Sequence, residues 1–211
     1  MRITNGLLQR AALRGLQTNL QALDRAQRQA TSGVRFERAS EDPVAMSGVM
    51  KTTGRLRAIE QYQRNLSTGL TRLSSEDTVL NRLTNQLIRA KELGLGQVGG
   101  TASPQTRATV KEEVDGILES VASLGNTRVE GSFLFGGLRP DQRPFPPTGP
   151  DPLNPPVGDR EIEGDAGQLL KTNHSGQEVF IDSGALSALE SLSAALGADD
   201  PDAISASLGE L

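Results

Sequence analysis

Leucines recur along the first third of the chain at alternating intervals of three and four. Leu13, Leu16, Leu20 and Leu23, continued by Gln27 and Ala30, trace a 3-4-3-4-3 seam, the repeat of a helix that packs lengthwise on other helices. A second seam runs through Leu56, Ile59, Gln63, Leu66, Leu70, Leu73, Asp77 and Leu80, then slips phase into Leu83, Leu87 and Ala90. Such a slip alters the supercoil locally. The helix this predicts runs from Pro43 to about Gln97, a rod of roughly 80 Å at 1.5 Å per residue. Gln63 and Asp77 are its polar members, placed to face water or fix register. On this pattern Leu73 is a seam residue, and Leu73→Asp is expected to be strongly destabilising. A third seam, Val110, Val114, Ile117, Val121 and Leu124, predicts a helix that folds back on the second as an antiparallel hairpin.

Punctuation supports these boundaries. Gly33 can end the first helix with positive φ. Asp42-Pro43, Ser103-Pro104 and Asp200-Pro201 each place an N-cap acceptor before a proline suited to the first helical position. Gly99-Gly100 closes the long helix. The four leucines of the first helix do not bury enough surface to order it alone, so it is expected to need a second surface and to be poorly ordered in the free monomer.

The pattern changes after residue 130. Gly131-Ser-Phe-Leu-Phe-Gly-Gly137 is an aromatic, strand-like run bounded by glycine. Eight prolines follow between Pro140 and Pro156, which excludes helix there. Short alternating stretches at Glu161–Ile162 and Glu178–Ile181 suggest strands. Leu186, Leu189, Leu192 and Leu196 predict a helix over Ala185–Leu196. The expected organisation is mainly α with a small β domain. Residues 1–42 form an N-terminal helix and loop, 43–130 a coiled-coil helical hairpin rod, 131–182 a β-rich outer domain that folds independently, and 183–211 short returning helices.

Composition fits a thin helical bundle. Aromatics are 3% of 211 residues, with no Trp, one Tyr and five Phe, little for the core of a compact enzyme. There is no cysteine, which excludes disulfides and thiolate chemistry. The N-terminus lacks the apolar run of a cleaved secretory signal, and no stretch is apolar enough for a membrane span. Charge is split: residues 1–97 hold 15 Lys+Arg against 8 Asp+Glu, while residues 98–211 hold 7 against 18. Arg10, Arg14, Arg25, Arg28, Arg35 and Arg38 raise a basic coiled-coil nucleic-acid binder as one reading. It lacks interleaved aromatics and any reading module, and a steep loss of DNA affinity with salt would be its mark. Solvated arginines on helix faces are the plainer reading.

Candidate chemistry is sparse. His174 is the sole histidine and lies in a turn-like Asn-His-Ser-Gly. It cannot assemble a multi-histidine metal site, and no G-x-S-x-G elbow accompanies it. Gly94, Gly96 and Gly99 match the glycines of G-x-G-x-x-G but sit at a helix end, not between strand and helix. Asp151, Asp159, Glu161, Glu163 and Asp165 could offer oxygen ligands to a hard cation, but without an EF-hand or nonapeptide spacing. No catalytic, cofactor-binding or metal-ligating residue is assigned.

A set of short motifs, in order, resembles the flagellin superfamily over nearly the whole chain. Met1-Arg2-Ile3-Thr4 resembles its start. Thr31-Ser32-Gly33 through Asp42-Pro43 is similar to its S-S-G…S-D-D-P loop, with Glu41 in place of an Asp. Tyr62-Gln-Arg-Asn65, Glu76-Asp-Thr-Val-Leu80, Ala90-Lys-Glu-Leu93, Gly131-Ser-Phe-Leu-Phe-Gly136, Pro144-Phe145, Gly164-Asp165 and Gly176-x-x-Val179-Phe180 follow. Filament flagellins would read D-D-A-A-G at 41–45, where this chain has Glu-Asp-Pro-Val-Ala, so the likeness leans to the hook–filament junction branch. The resemblance implies a non-enzymatic structural subunit that self-assembles outside the cell, exported by the flagellar type III route without a cleaved signal. It implies as partners copies of itself in a ring, a neighbouring hook-associated protein, flagellin, and the export apparatus with a chaperone. Filament flagellin is the nearest alternative. The family ends in a long apolar helix that pairs with the first, and nothing after Leu211 supplies one, so the chain is expected to be truncated at that end.

Overall fold

The computed structural model describes residues 2–36, 38–99, 102–146 and 155–211, with side chains from Gly6 onward. Met1, Glu37, Gly100 and Asp151, and much of the proline-rich run, lie outside the described residues. The chain divides into two compact units, Met1–Ala58 and Ile59–Leu211.

In the first unit, helix α1 spans Arg2–Ser32. It ends as expected at Gly33, whose φ is +68° and whose N–H donates to the Gln29 carbonyl at 3.0 Å. The loop that follows is tied at both ends. Gln29 Nε2 donates to the Arg35 carbonyl at 2.6 Å, and Arg35 pairs with Asp42 at 2.6 Å. Asp42 also caps helix α2, Pro43–Leu95, by accepting the Ala45 N–H at 2.9 Å.

The second unit holds the greater part of α2. Helix α3, Pro104–Gly125, starts at a Ser103 cap. Two two-stranded antiparallel hairpins follow, β1 (Arg128–Val129) with β2 (Ser132–Phe133) and β3 (Glu161–Asp165) with β4 (Gln168–Lys171). Glu130 and Gly131 both have positive φ, 52° and 81°, the left-handed pair that a tight two-residue hairpin requires. A π-helical turn over Gln177–Asp182 leads to α4 (Ala185–Ala198) and α5 (Pro201–Leu208).

Side chains from all of these elements except β2, β3 and β4 meet in one hydrophobic cluster. Val79, Leu83 and Ala90 come from α2, and Val114, Ile117 and Val121 from α3. Leu134, Phe135, Phe145 and Phe180 come from the segment after α3, and Leu189, Leu192, Leu196, Ile204 and Leu208 from the last two helices. Residues 131–182 contribute Phe135, Phe145 and Phe180 to this core beside the helices. The seams read for α3 and α4 are the buried faces. Before its slip that of α2 is displaced: the buried Gly69, Arg72, Glu76 and Val79 lie about a quarter-turn around the helix from Leu66, Leu70, Leu73 and Leu80 at 3.6 residues per turn. After the slip the buried face is the one read, with Leu83 and Ala90 buried. Leu70 is 67% exposed and Leu73 38%.

The strand expected at Glu178–Ile181 is instead the π-helical turn. Its start is a reciprocal cap. Glu178 N–H donates to Ser175 Oγ at 3.2 Å, and the Ser175 N–H donates to Glu178 Oε2 at 3.0 Å, a capping box in Ser175-x-x-Glu178. Phe180 then points inward and is fully buried.

Candidate assembly surfaces and the anchors behind them

Buried polar groups on the helices hold the later segments in place. Arg72 Nη1 donates to Ser132 Oγ at 2.8 Å and Nη2 to the Phe133 carbonyl at 3.4 Å, fixing the first hairpin on α2. Burial lowers its pKa from the ordinary guanidinium value, and the nearby Arg160 adds to that. One turn on, the buried Glu76 accepts the His174 N–H at 3.1 Å, with His174 Nδ1 at 2.6 Å. His174 is thus the handle by which the loop after β4 grips α2. Arg107, buried on α3, donates to the Gln97 carbonyl through two nitrogens at 3.3 Å each and pairs with Asp199 at the end of α4. Asn126 exchanges two hydrogen bonds with the Phe145 backbone, at 2.7 and 3.0 Å. None of these four anchors was read as an anchor in the sequence, although His174 and the motif beginning at Glu76 were noted there. Arg72 and Glu76 are polar members of the stripe that is really buried, and the leucine seam beside it conceals them.

The carboxylates named from sequence do not converge. Asp159 pairs with Lys171 at 2.8 Å. Glu163 accepts from Tyr62 at 3.4 Å and from the Gly167 N–H at 3.2 Å, and Asp165 accepts the Ala166 N–H at 2.7 Å. Among the described residues no three Asp, Glu or His side chains are grouped to hold a metal ion. Of the glycines at 94–99, Gly94 serves packing. A Cβ on Gly94 would lie 2.6 Å from Leu208 Cδ2, so glycine lets α5 approach α2 closely.

Two ionisations bind segments together and set an acid limit. Hydrogen bonds from Lys111, at 2.5 Å, and from Ser193 hold Asp115 below the usual carboxylate range, and the one from Ser193 links α4 to α3. The Ser175 N–H, helped by Lys171, does the same for Glu178. Both pKa values are depressed in the fold, so their contribution is complete above the unfolded values. It is lost as pH falls below roughly 4. Thermal midpoints measured from neutral pH downward should drop through that range, and Asp115→Asn should make the drop shallower.

The remaining surface is unusual for its open leucines. On α1, Leu13, Leu16, Leu20 and Leu23 are all more than half exposed. Arg10, Arg14, Arg25 and Arg28, the basic residues singled out in the sequence, are exposed on the same helix. No helix among the described residues is long and apolar enough to cross a membrane. Long helices with apolar side chains left open, and polar groups spent on internal anchoring, characterise the described residues.

Residues 3–139 match the bacterial flagellin N-terminal helical region, and the chain belongs to that family. It is 23% identical over 184 residues, or 85% of its length, to flagellar hook-associated protein 3 of Escherichia coli, of which the match spans 57%. The Salmonella typhimurium protein of that name matches with the same identity and coverage. The flagellar filament 41 kDa core protein of Borreliella burgdorferi is 28% identical over 108 residues, 51% of this chain and 32% of that one. The chain thus spans little more than half the length of the hook-associated relatives. Among solved structures, Bacillus cereus FlgL superposes with a TM-score of 0.62 at 22% identity, covering 78% of this chain and 80% of that one. A Vibrio parahaemolyticus structure assigned to the flagellar hook-associated proteins gives 0.66 at 23%, covering 82% and 84%. The likeness in fold extends well beyond the matched N-terminal region.

Proposed function

We propose that the chain is a structural subunit of the bacterial flagellum that works by packing, not by turnover, at the junction between hook and filament. Its partners in this reading are copies of itself in a ring, a neighbouring hook-associated protein on one side and flagellin on the other. It reaches the cell exterior through the flagellar export apparatus, assisted by a chaperone and without a cleaved signal. Residues 43–130 form the inner packing body and residues 131–182 the outward part.

The observation that carries the choice is how far the relatives extend. The match to hook-associated protein 3 covers 85% of the chain, past the helices and through the hairpins. The matches to flagellins cover 51–60%. Filament flagellin is accordingly the weaker reading. Deleting the gene in its own organism decides between them. The junction reading expects cells with hooks, no attached filaments, and flagellin released into the medium. Hooks bearing normal filaments would overturn it, and loss of flagellin itself would favour the filament reading.

A further inference from the structure

We infer that Arg72 and Glu76 work as a charge swap on α2. They pair with each other while the later segments are away, and are handed to the first hairpin and to the loop after β4 when those dock. The two segments therefore seat on α2, and leave it, together. This is a property of the single chain and goes beyond the assembly reading above.

Arg72 and Glu76 are four residues apart on one helix. Side chains so spaced lie one above the other, with Cβ atoms roughly 5–6 Å apart, and opposite charges there attract. Both residues are buried, 4% and 2% exposed, where a charge left short of a partner is costly. Yet neither is spent on the other. Arg72 is turned to Ser132 Oγ and the Phe133 carbonyl. Glu76 is turned to the His174 N–H and ring. The pose of the arginine is incomplete, because its Nε is buried with no hydrogen-bond partner. Arg160 lies near enough to oppose its charge, and the acids near it are Glu130 and Glu76. Glu130 is exposed on the hairpin turn. Glu76 alone shares the buried face of α2, and turning to it would give Nε an acceptor.

The coupling follows from who is left without a partner. Before residues 128–133 and 172–176 reach α2, each charge has the other. When the hairpin takes Arg72, Glu76 is left for His174. When the loop takes Glu76, Arg72 is left for Ser132 and Phe133. One segment seated without the other leaves a buried charge short of a partner, so each docking favours the other. With the arginine N-terminal to the glutamate, the helical pair is in the weaker of its two orders, so it yields to outside partners. The two segments also touch directly. The Gly176 N–H donates to the Phe135 carbonyl at 3.0 Å, and the Phe135 and Phe180 rings meet edge-on. Contact of that kind does not need a charge on Glu76, which lets experiment separate the two routes.

The test is amide hydrogen exchange in the full chain, read at Leu134, whose N–H donates to the Thr127 carbonyl at 2.9 Å at the base of the hairpin. His174→Ala takes the ring away from Glu76. Glu76 should then draw Arg72 back, and Leu134 should exchange about tenfold faster, a coupling of roughly 1.4 kcal/mol. With Glu76→Gln already in place, no carboxylate competes for Arg72, and His174→Ala should change the Leu134 rate by no more than about twofold. Ser132→Ala runs the swap the other way. It frees Arg72, and should speed exchange of the His174 amide, which donates to Glu76 at 3.1 Å, again only while residue 76 is Glu. Equal acceleration at Leu134 in both backgrounds, or none in either, would overturn the swap and leave direct packing as the link. If circular dichroism shows that Glu76→Gln does not fold, a crystal structure of His174→Ala decides alone. Arg72 within about 4 Å of Glu76, with its Nε bonded, supports the swap, and Arg72 still on Ser132 and Phe133 overturns it.

Discussion

Phe180→Ala is expected to cost about 3–5 kcal/mol and to lower the melting midpoint of the helices by on the order of 10 °C. Phe180 is fully buried. Its ring meets Phe135 and Phe145 edge-on, each with centroids 5.1 Å apart. Removing it leaves a cavity that these rings cannot close, because each is pinned elsewhere. The Phe145 backbone is held by Asn126, and the Phe135 carbonyl accepts the Gly176 N–H at 3.0 Å. The same cluster contains Val114 and Val121 of α3 and Leu189 of α4, so loss of one aromatic from the later segment should loosen the helices too. Far-UV circular dichroism melts check this. An unchanged helical midpoint would mean that residues 131–182 do after all fold apart from the rod.

Much of this fold was legible in the sequence because local rules and tertiary packing agree. The three acceptor–proline pairs start α2, α3 and α5 as capping predicts. The valine and isoleucine seam of α3 and the leucines of α4 point inward as their spacing requires. Where the reading failed, a non-local partner decided. Alternation at Glu178–Ile181 looks like a strand, yet Ser175-x-x-Glu178 was also there to read as a capping box. The burial of Phe180 between two distant rings settles which one wins. The anchors Arg72, Glu76 and Arg107 carry no local signature. Each is defined by a backbone group 10 to 98 residues away, and a helix face with two charges on it does not look like a core. His174, read in the sequence as a lone turn residue, places its Nδ1 against the buried Glu76.

The largest departure concerns which face of α2 is buried, and a pair of substitutions separates the two readings. Val79→Asp should destabilise the chain by about 4 kcal/mol or more, while Leu73→Asp should cost about 1 kcal/mol or less. The leucine seam alone predicts the reverse, because it contains Leu73 and omits Val79. Val79 is 4% exposed within the core cluster. Replacing it forfeits about 1.5–3 kcal/mol of apolar burial and leaves a carboxylate with no hydrogen-bond donor assigned to it, a further penalty of comparable size. Leu73 is 38% exposed, so an aspartate there can turn to water. Denaturant unfolding of the two variants measures the contrast. The physical reason for it is that α2 bears two apolar tracks and one chain uses only one of them for its own core. The buried track accommodates Gly69, Arg72 and Glu76 because each meets a specific partner. Ile162 and Thr172 lie over Gly69, Ser132 and Phe133 meet Arg72, and His174 meets Glu76. Leu73→Asp should therefore leave the monomer folded and show its effect in assembly. If it instead unfolds the monomer as severely as Val79→Asp, the leucine track belongs to the chain's own core and the assignment of faces made here is wrong.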